Sequence, residues 1–336
     1  MKYNVITFGS ATRDNYLFLK SERKYIIGHR QSVNGKSLCF PLGSKTEVQD
    51  MQVLSGGGGT NTAATFASQG FKVAYVGKVG QDKRGEALIE ELRQRSIDTQ
   101  FVKRDAKHAT AYSLLISLAS GERNIFVYRG ASNFLTKSEI PWSELRDSQW
   151  FYLAPFSGSL AKLTEPIINF ANQNKIKIAF NPGYSQLSFP PATLKRILAK
   201  VDVLILNQEE ASLLTKIPFQ KEASIFRKID SLVKDIVVMT KGKEGAVASD
   251  GRYLYHTPGV KVGITDRTGA GDSFGAGLVA GLMQKKSIEA ALQLASANAA
   301  FCLRKRGAKS GLLKKGQKYP KVKVVRQKCL RETKRC

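Results

Sequence analysis

Only four cysteines, three histidines and two tryptophans occur in 336 residues. Cys39, Cys302, Cys329 and Cys336 are too few and too scattered for a disulfide framework or a paired metal-ligand motif, so a reducing compartment is expected. His29, His108 and His256 are widely spaced and form no ligand grouping, which leaves them ordinary surface or core residues. No run approaches the ~18 apolar residues of a membrane span, and residues 1–20 lack a basic start with an apolar stretch and small-residue cleavage site. A cytoplasmic protein without membrane contact is expected. What the chain does have is a globular composition, 42% hydrophobic and 24% charged, too apolar for disorder and ample for a core.

Acids are scarce, 27 against 53 Lys and Arg, for a formal net charge of +26. Half of that charge lies in residues 304–336, where 14 Lys or Arg face Glu332 alone. This segment has little hydrophobic periodicity and is expected partly outside the fold, with 311–336 as a basic C-terminal tail. Attraction to nucleic acid is one reading of such a tail. A solvated basic end is the plainer one, and nucleic acid is not expected as a partner.

Short runs rich in Val, Ile, Leu and aromatics at 5–9, 71–77, 150–154, 176–181, 203–207 and 236–241 read as strands. Helical patterns fall between them, at 84–95, 160–174, 191–200, 210–214 and 222–234. This alternation predicts an α/β fold with a mainly parallel central sheet and helices on both faces, a three-layer sandwich. Residues 15–55 and 110–129 break the rhythm with β-like pieces such as NYLFLK, EVQDMQV and RNIFVYR, and read as hairpins forming a small accessory sheet over the strand ends. Two apolar helices, 269–284 and 287–303, close the domain. A single domain over 1–310 is expected.

Several glycine motifs tempt a nucleotide-loop reading and fail. Gly275-x-Gly277-x-x-Ala280 lies inside a helix rather than at a strand-to-helix turn, and Gly35-Lys36-Ser37 lacks its upstream glycine because position 30 is Arg30. Stronger is Asp266-Arg267-Thr268-Gly269-Ala270-Gly271-Asp272, after the strand-like stretch 260–264. Its glycines admit a ligand to the backbone, and the helix it opens has free N–H groups that favour an anion. Asp272 either caps that helix or accepts a proton from a substrate hydroxyl, and the residues alone leave both open. Gly56-Gly57-Gly58-Gly59-Thr60-Asn61 likewise offers bare backbone and an amide to a polyol, or a flexible turn.

Taken in order, these residues resemble the ribokinase-like, or phosphofructokinase-B type, sugar and nucleoside kinases. The likeness runs from Tyr3 to Lys309 and rests on Gly9-x-x-x-x-Asp14, the Gly57–Asn61 loop, Gly77-x-x-Gly80-x-Asp82-x-x-Gly85, Gly130-Ala131-x-Asn133, Asn207-x-x-Glu210, Thr240-x-Gly242-x-x-Gly245 and the Asp266–Asp272 motif. The resemblance implies ATP-dependent transfer of a γ-phosphoryl group to a hydroxyl of a sugar or similar molecule. It makes Asp272 the base, Gly269, Ala270 and Gly271 the anion hole, and Asp14, Gly57, Gly58 and Asn61 the substrate binders. Asn207 and Glu210 would organise Mg2+ and phosphates, Thr240 and Gly242 a phosphate turn, and Asn298 the nucleotide pocket. Asp266 and the Thr268 carbonyl fall where many relatives bind K+. The β-rich segments match the family's substrate lid, through which relatives often form homodimers.

Gly58 stands where ribose kinases often carry Lys, and Thr12 where they have Asn, so ribose is not implied as the acceptor. Arg129, at the end of a lid strand, would suit an anionic or phosphorylated substrate, or is simply an exposed strand-end residue. A nucleoside kinase is the alternative within the same chemistry. A non-catalytic sugar- or nucleic-acid-binding regulator on this fold is the alternative outside it, though such a protein needs neither Asp272 nor the anion-hole motif.

Overall fold

The computed structural model describes residues 2–20, 22–28, 35–118 and 123–329. Strand β1 (Tyr3–Phe8) starts the main sheet, and β2 (Thr12–Leu19) and β3 (Val48–Gly56) leave it. Helix α1 (Gly58–Ser68), β4 (Val73–Gly80) and α2 (Lys83–Gln94) return to it before β5 (Ala111–Ser117) and β6 (Arg123–Tyr128) leave again. Then come β7 (Ser148–Leu153), α3 (Thr164–Gln173), β8 (Lys177–Phe180), α4 (Pro191–Leu198), β9 (Val203–Asn207), α5 (Gln208–Thr215), α6 (Glu222–Asp230) and β10 (Ile236–Thr240). The chain ends with β11 (Ala246–Ser249), β12 (Tyr253–Thr257), α7 (Ala270–Met283), α8 (Ile288–Leu303) and β13 (Val325–Lys328).

The main sheet runs β13-β12-β11-β10-β9-β8-β7-β1-β4, with Ile97–Asp98 and Val102–Asp105 pairing on β4. From β10 to β4 every pairing is parallel. Its strands read as unbroken apolar runs because helices cover both faces. Alternate residues of one strand feed two cores: Ile6, Phe8, Leu204 and Leu206 pack on one side, Val5, Val203, Ile205 and Tyr75 on the other. Burial of each such side chain stabilises by roughly 1.5–3 kcal/mol, which fixes the register and hence where each strand ends.

The expected accessory sheet forms, in the order β6-β5-β2-β3. Residues 29–34 and the turn 120–122 lie outside the described part of the chain. Two expectations need correction. The stretch 260–264 is not a strand: it carries no ladder and is exposed or half-buried, between Pro258–Gly259 and Gly263. The sheet instead extends past β10 by an antiparallel meander, β11 and β12.

The basic tail is also not a free end. Leu313 is fully buried beside Leu294 and Ala297, Gln69 Nε2 donates to its carbonyl at 2.7 Å, and Lys315 N donates to the Ser68 carbonyl at 2.8 Å. Further on, β13 pairs antiparallel with β12. An apolar anchor and main-chain pairing suffice to dock a segment whose charged side chains point outward. Among the cysteines, Cys39 and Cys302 are free thiols, whereas Cys329 is disulfide-bonded, so the expectation of reduced cysteines does not extend to it. Among the described residues no helix is long and apolar enough to cross a membrane.

Candidate active site

Chain order reverses at β1, which lies between β4 and β7, and ligands in open α/β sheets bind beyond the carboxyl ends of strands at such a point. Gly9 follows β1 there and Ala154 follows β7. Helix α7 starts over the same crevice. Its N-cap, Gly269, has φ 77°, and a Cβ at this position would lie 2.2 Å from the Ala308 Cβ. Glycine is required by both conformation and space. In this turn Ala270 N lies 3.5 Å from the Arg267 carbonyl and Ser273 N donates 2.8 Å to the Gly269 carbonyl, while the N–H groups of Gly271 and Asp272 come too early in α7 for an intrahelical acceptor.

Asp272 sits in this first turn, and its Oδ2 accepts a 2.8 Å hydrogen bond from Asn61 Nδ2. Burial pushes its carboxyl above the ordinary value, opposed by the Asn61 donor and by the charge of Lys309. Asn61 lies in the first turn of α1, behind the glycine loop, and its Oδ1 is buried without a partner. Gly57 caps α1 with φ 96°, where a Cβ would come 2.3 Å from the Ser10 carbonyl oxygen. A Cβ at Gly58 would press on Ala154 Cβ (3.0 Å) and Pro155 Cδ (3.3 Å) and lie 3.5 Å from Asp272 Oδ1, so the glycine lets the loop approach the carboxylate. The loop and the carboxylate, distant in sequence, are thus brought to one place.

Asp14 reaches the same region from β2. It is 7% exposed, accepts 2.9 Å from Thr12 Oγ1, and lies directly over Gly56. Burial raises its carboxyl, while Thr12, Ser113 and Lys309 work against the rise. Lys309 was hidden in the basic run and carries no signal of its own in the sequence. Its ammonium is buried at 4% exposure, donates 2.8 Å to Ser55 Oγ, and is pushed down to about 8 by burial, against the pull of Glu91 and Asp14.

The ends of β9 and β10 place Asn207 opposite Thr240, with Gly242 in the turn beyond. Asn207 and Glu210 form a reciprocal cap on α5: Oδ1 accepts from Glu210 N and Oε2 from Asn207 N, both at 2.8 Å. Glu210 also faces the crevice. Burial pushes it up to about 7, the Asn207 N–H opposes this, and the charges bearing on it, from Asp272 and Glu209, are both negative. Carboxylate oxygens crowded by like charge suit a cation shared with phosphates, and among the described residues no group of three ligating side chains would hold one alone.

Two residues expected at sites are engaged by protein partners instead. Asn298 is fully buried, donating 2.8 Å to the Ser273 carbonyl and accepting 2.9 Å from Leu313 N. Its amide joins α7 to the docked tail, so both of its polar ends are engaged within the protein. At Asp266, Oδ1 accepts from Thr268 N (2.9 Å), Thr268 Oγ1 (2.8 Å) and Arg123 Nη1 (3.1 Å), and Oδ2 from Tyr16 Oη (2.9 Å) and Gly307 N (3.0 Å). Burial would raise this carboxyl, but the Gly307 and Thr268 donors bring it below its ordinary value. A carboxylate offers about four lone-pair sites, so none is left for K+. The monovalent-cation site expected from Asp266 and Thr268 does not fit this geometry. Arg123 and Tyr16 both come from strands of the accessory sheet, and nothing local in the sequence marks them.

The fold is shared with a class of kinases of known structure. A structure titled Arabidopsis thaliana ribokinase complexed with ribose and ATP matches with a TM-score of 0.75 at 20% identity, covering 94% of this chain and 96% of that one. A nucleoside kinase from Methanocaldococcus jannaschii matches with a TM-score of 0.75 at 18% identity, covering 93% and 95%. The model of the pfkB family carbohydrate kinases covers residues 27–315, and the chain belongs to that family. Its relatives include a ribokinase of Haemophilus influenzae, 29% identical over 273 residues, 79% of this chain and 86% of that protein. The probable fructokinase-6, chloroplastic, of A. thaliana is 26% identical over 336 residues, 89% and 86% of the two. The protein is a carbohydrate kinase, an ATP-dependent phosphotransferase with an alcohol group as acceptor.

Proposed function

We propose that Asp272 is the base of this kinase and that the start of α7 holds the phosphoryl group it delivers. The observation that carries the reading is the meeting of Asp272, Asn61 and the Gly57–Gly58 backbone at the mouth of a helix N-terminus. An acceptor hydroxyl between Gly58 and Asp272 would give its proton to the carboxylate as its oxygen bonds to the γ-phosphorus. The bond from that phosphorus to the bridging oxygen breaks, and its electron pair leaves with ADP. In a loose transition state the proton departs late, so a carboxylate is basic enough. Asn61 Nδ2 fixes the Asp272 rotamer, and its unpaired Oδ1 is an acceptor for a second substrate hydroxyl. Asp14 would bind neighbouring hydroxyls.

First-turn N–H groups from Gly269 to Gly271 would meet charge that grows on the transferred group. Asn207 and Glu210 are the residues that would hold Mg2+, through water and the nucleotide phosphates, where the ion supplies charge neutralisation. Thr240 and Gly242 would border those phosphates. The β2–β3–β5–β6 sheet is the lid, keeping water from the centre. Ile125, Phe126, Val127 and Tyr128 on β6 are exposed, which supports pairing of two lids in a homodimer.

A second reading of the acceptor is supported by Arg129. It hydrogen bonds Ser157 and borders a recess of about 70 Å³ with Thr12, Ser132 and Asn133, so an anionic sugar would find a guanidinium there. A panel of ribose, fructose, hexose phosphates, ketodeoxygluconate and adenosine, read by ADP release, tests both. Turnover on one acceptor well above the rest is expected. ATP consumption by none of them would refute the catalytic reading.

A further inference from the structure

We infer that the Arg123 guanidinium is a built-in cation for the anion-hole loop, taking the position where a free monovalent ion would otherwise balance Asp266. The inference rests on the reading of α7 as the phosphoryl site. Asp266 is 8% exposed and sits just ahead of Thr268 and Gly269, so its charge lies beside the turn that shapes the anion hole. A buried carboxylate there needs a counter-charge. Arg123 Nη1 provides it at 3.1 Å, and the remaining lone pairs are taken by Thr268, Tyr16 and Gly307. An oxygen-seeking ion would have to displace the guanidinium, and the Thr268 and Gly307 N–H groups on this carboxylate point hydrogens, not lone pairs, at the place it would take.

The source of the charge has a consequence for motion. Arg123 opens β6 and Tyr16 lies within β2, so two strands of the lid each send a donor to one carboxylate of the catalytic loop. A diffusing ion would balance Asp266 whatever the lid did. A tethered guanidinium does so only while β6 is in place, which ties the geometry of the anion hole to the position of the lid. Arg123 is thereby a positioning residue, acting on the transferred phosphoryl group through Asp266 and the turn at Gly269.

The test compares KCl with tetramethylammonium chloride at equal ionic strength on the full chain, reading melting temperature and ADP release. The wild type is expected to melt and turn over alike in the two salts. Arg123→Gln is expected to lose about tenfold in turnover in tetramethylammonium, and to gain a K+-specific rise in melting temperature with partial recovery of turnover. Arg123→Lys, which keeps the charge, should stay indifferent to the salt. A wild type that melts higher or works faster in K+ would overturn the inference, and so would an Arg123→Gln variant identical to wild type. Equal losses in Arg123→Gln and Arg123→Lys without any response to K+ would also overturn it, because the side chain would then act by packing alone. The melting arm needs no acceptor, so it decides this point even if the catalytic reading fails.

Discussion

Asp266 and Asp272 belong to one short motif, yet their surroundings push them in opposite directions. Asp266 is wrapped in donors from the lid, from its own turn and from the Gly307 loop, and its carboxyl falls below the ordinary value. Asp272 has Asn61 for a hydrogen-bond partner, and burial raises its carboxyl. Two groups so separated cannot share a task. The saturated carboxylate holds structure together and has no lone pair to spare for a proton in flight. The under-served one has its other oxygen, Oδ1, turned toward Gly58, and on the proposed reading that oxygen takes the substrate proton.

The sharpest way to break this contrast is to neutralise each in turn. Asp272→Asn should lower kcat by on the order of 10²–10⁴ with the fold intact. Asp266→Asn should leave the chemistry within about tenfold of wild type, but lower the melting temperature, because the Arg123 charge loses its partner. Circular dichroism and ADP release on the two variants would show this, and equal losses of kcat would refute the division of labour.

Lys309 sharpens the contrast from the other side, since its charge bears on Asp272. Lys309→Met should move the acid limb of kcat/KM to higher pH, as the buried carboxyl loses a nearby positive charge. It should also alter stability. With its folded value pushed down to about 8, against ~10.4 in the unfolded chain, the unfolded state holds a proton the folded state lacks between those values. Stability then rises with pH across that window. Urea unfolding should show this rise in the wild type and lose on the order of 1–3 kcal/mol of it in Lys309→Met. An unchanged slope would place the lysine in a solvated site.

What could be read beforehand follows the range of the interactions. Apolar runs with periods of two and 3.6 announced the sheet, its helices and the lid, and the glycine motifs stood out because bare backbone near a ligand leaves a local trace. Asn61 and Asp272 were each visible within such a motif, although their contact spans the domain. Arg123 on Asp266 and Lys309 on Ser55 were not visible, because a long-range charge partner imposes no local pattern on either segment. The docking of residues 311–328 escaped for a related reason: its apolar anchors, Leu312, Leu313, Tyr319 and Val324, are sparse among basic residues, and main-chain pairing of β13 is indifferent to side chains. Asn298 shows the converse, a polar residue in a helix whose amide is consumed by packing.

The most direct measurement is the pH dependence of kcat/KM for wild type and Asp272→Asn on the acceptor that the panel identifies. The wild type should lose activity as pH falls through the raised ionisation of Asp272, while Asp272→Asn should lack that acid limb and keep only the one set by Glu210 near 7. Persistence of the first limb in the variant would mean that some other group takes the proton.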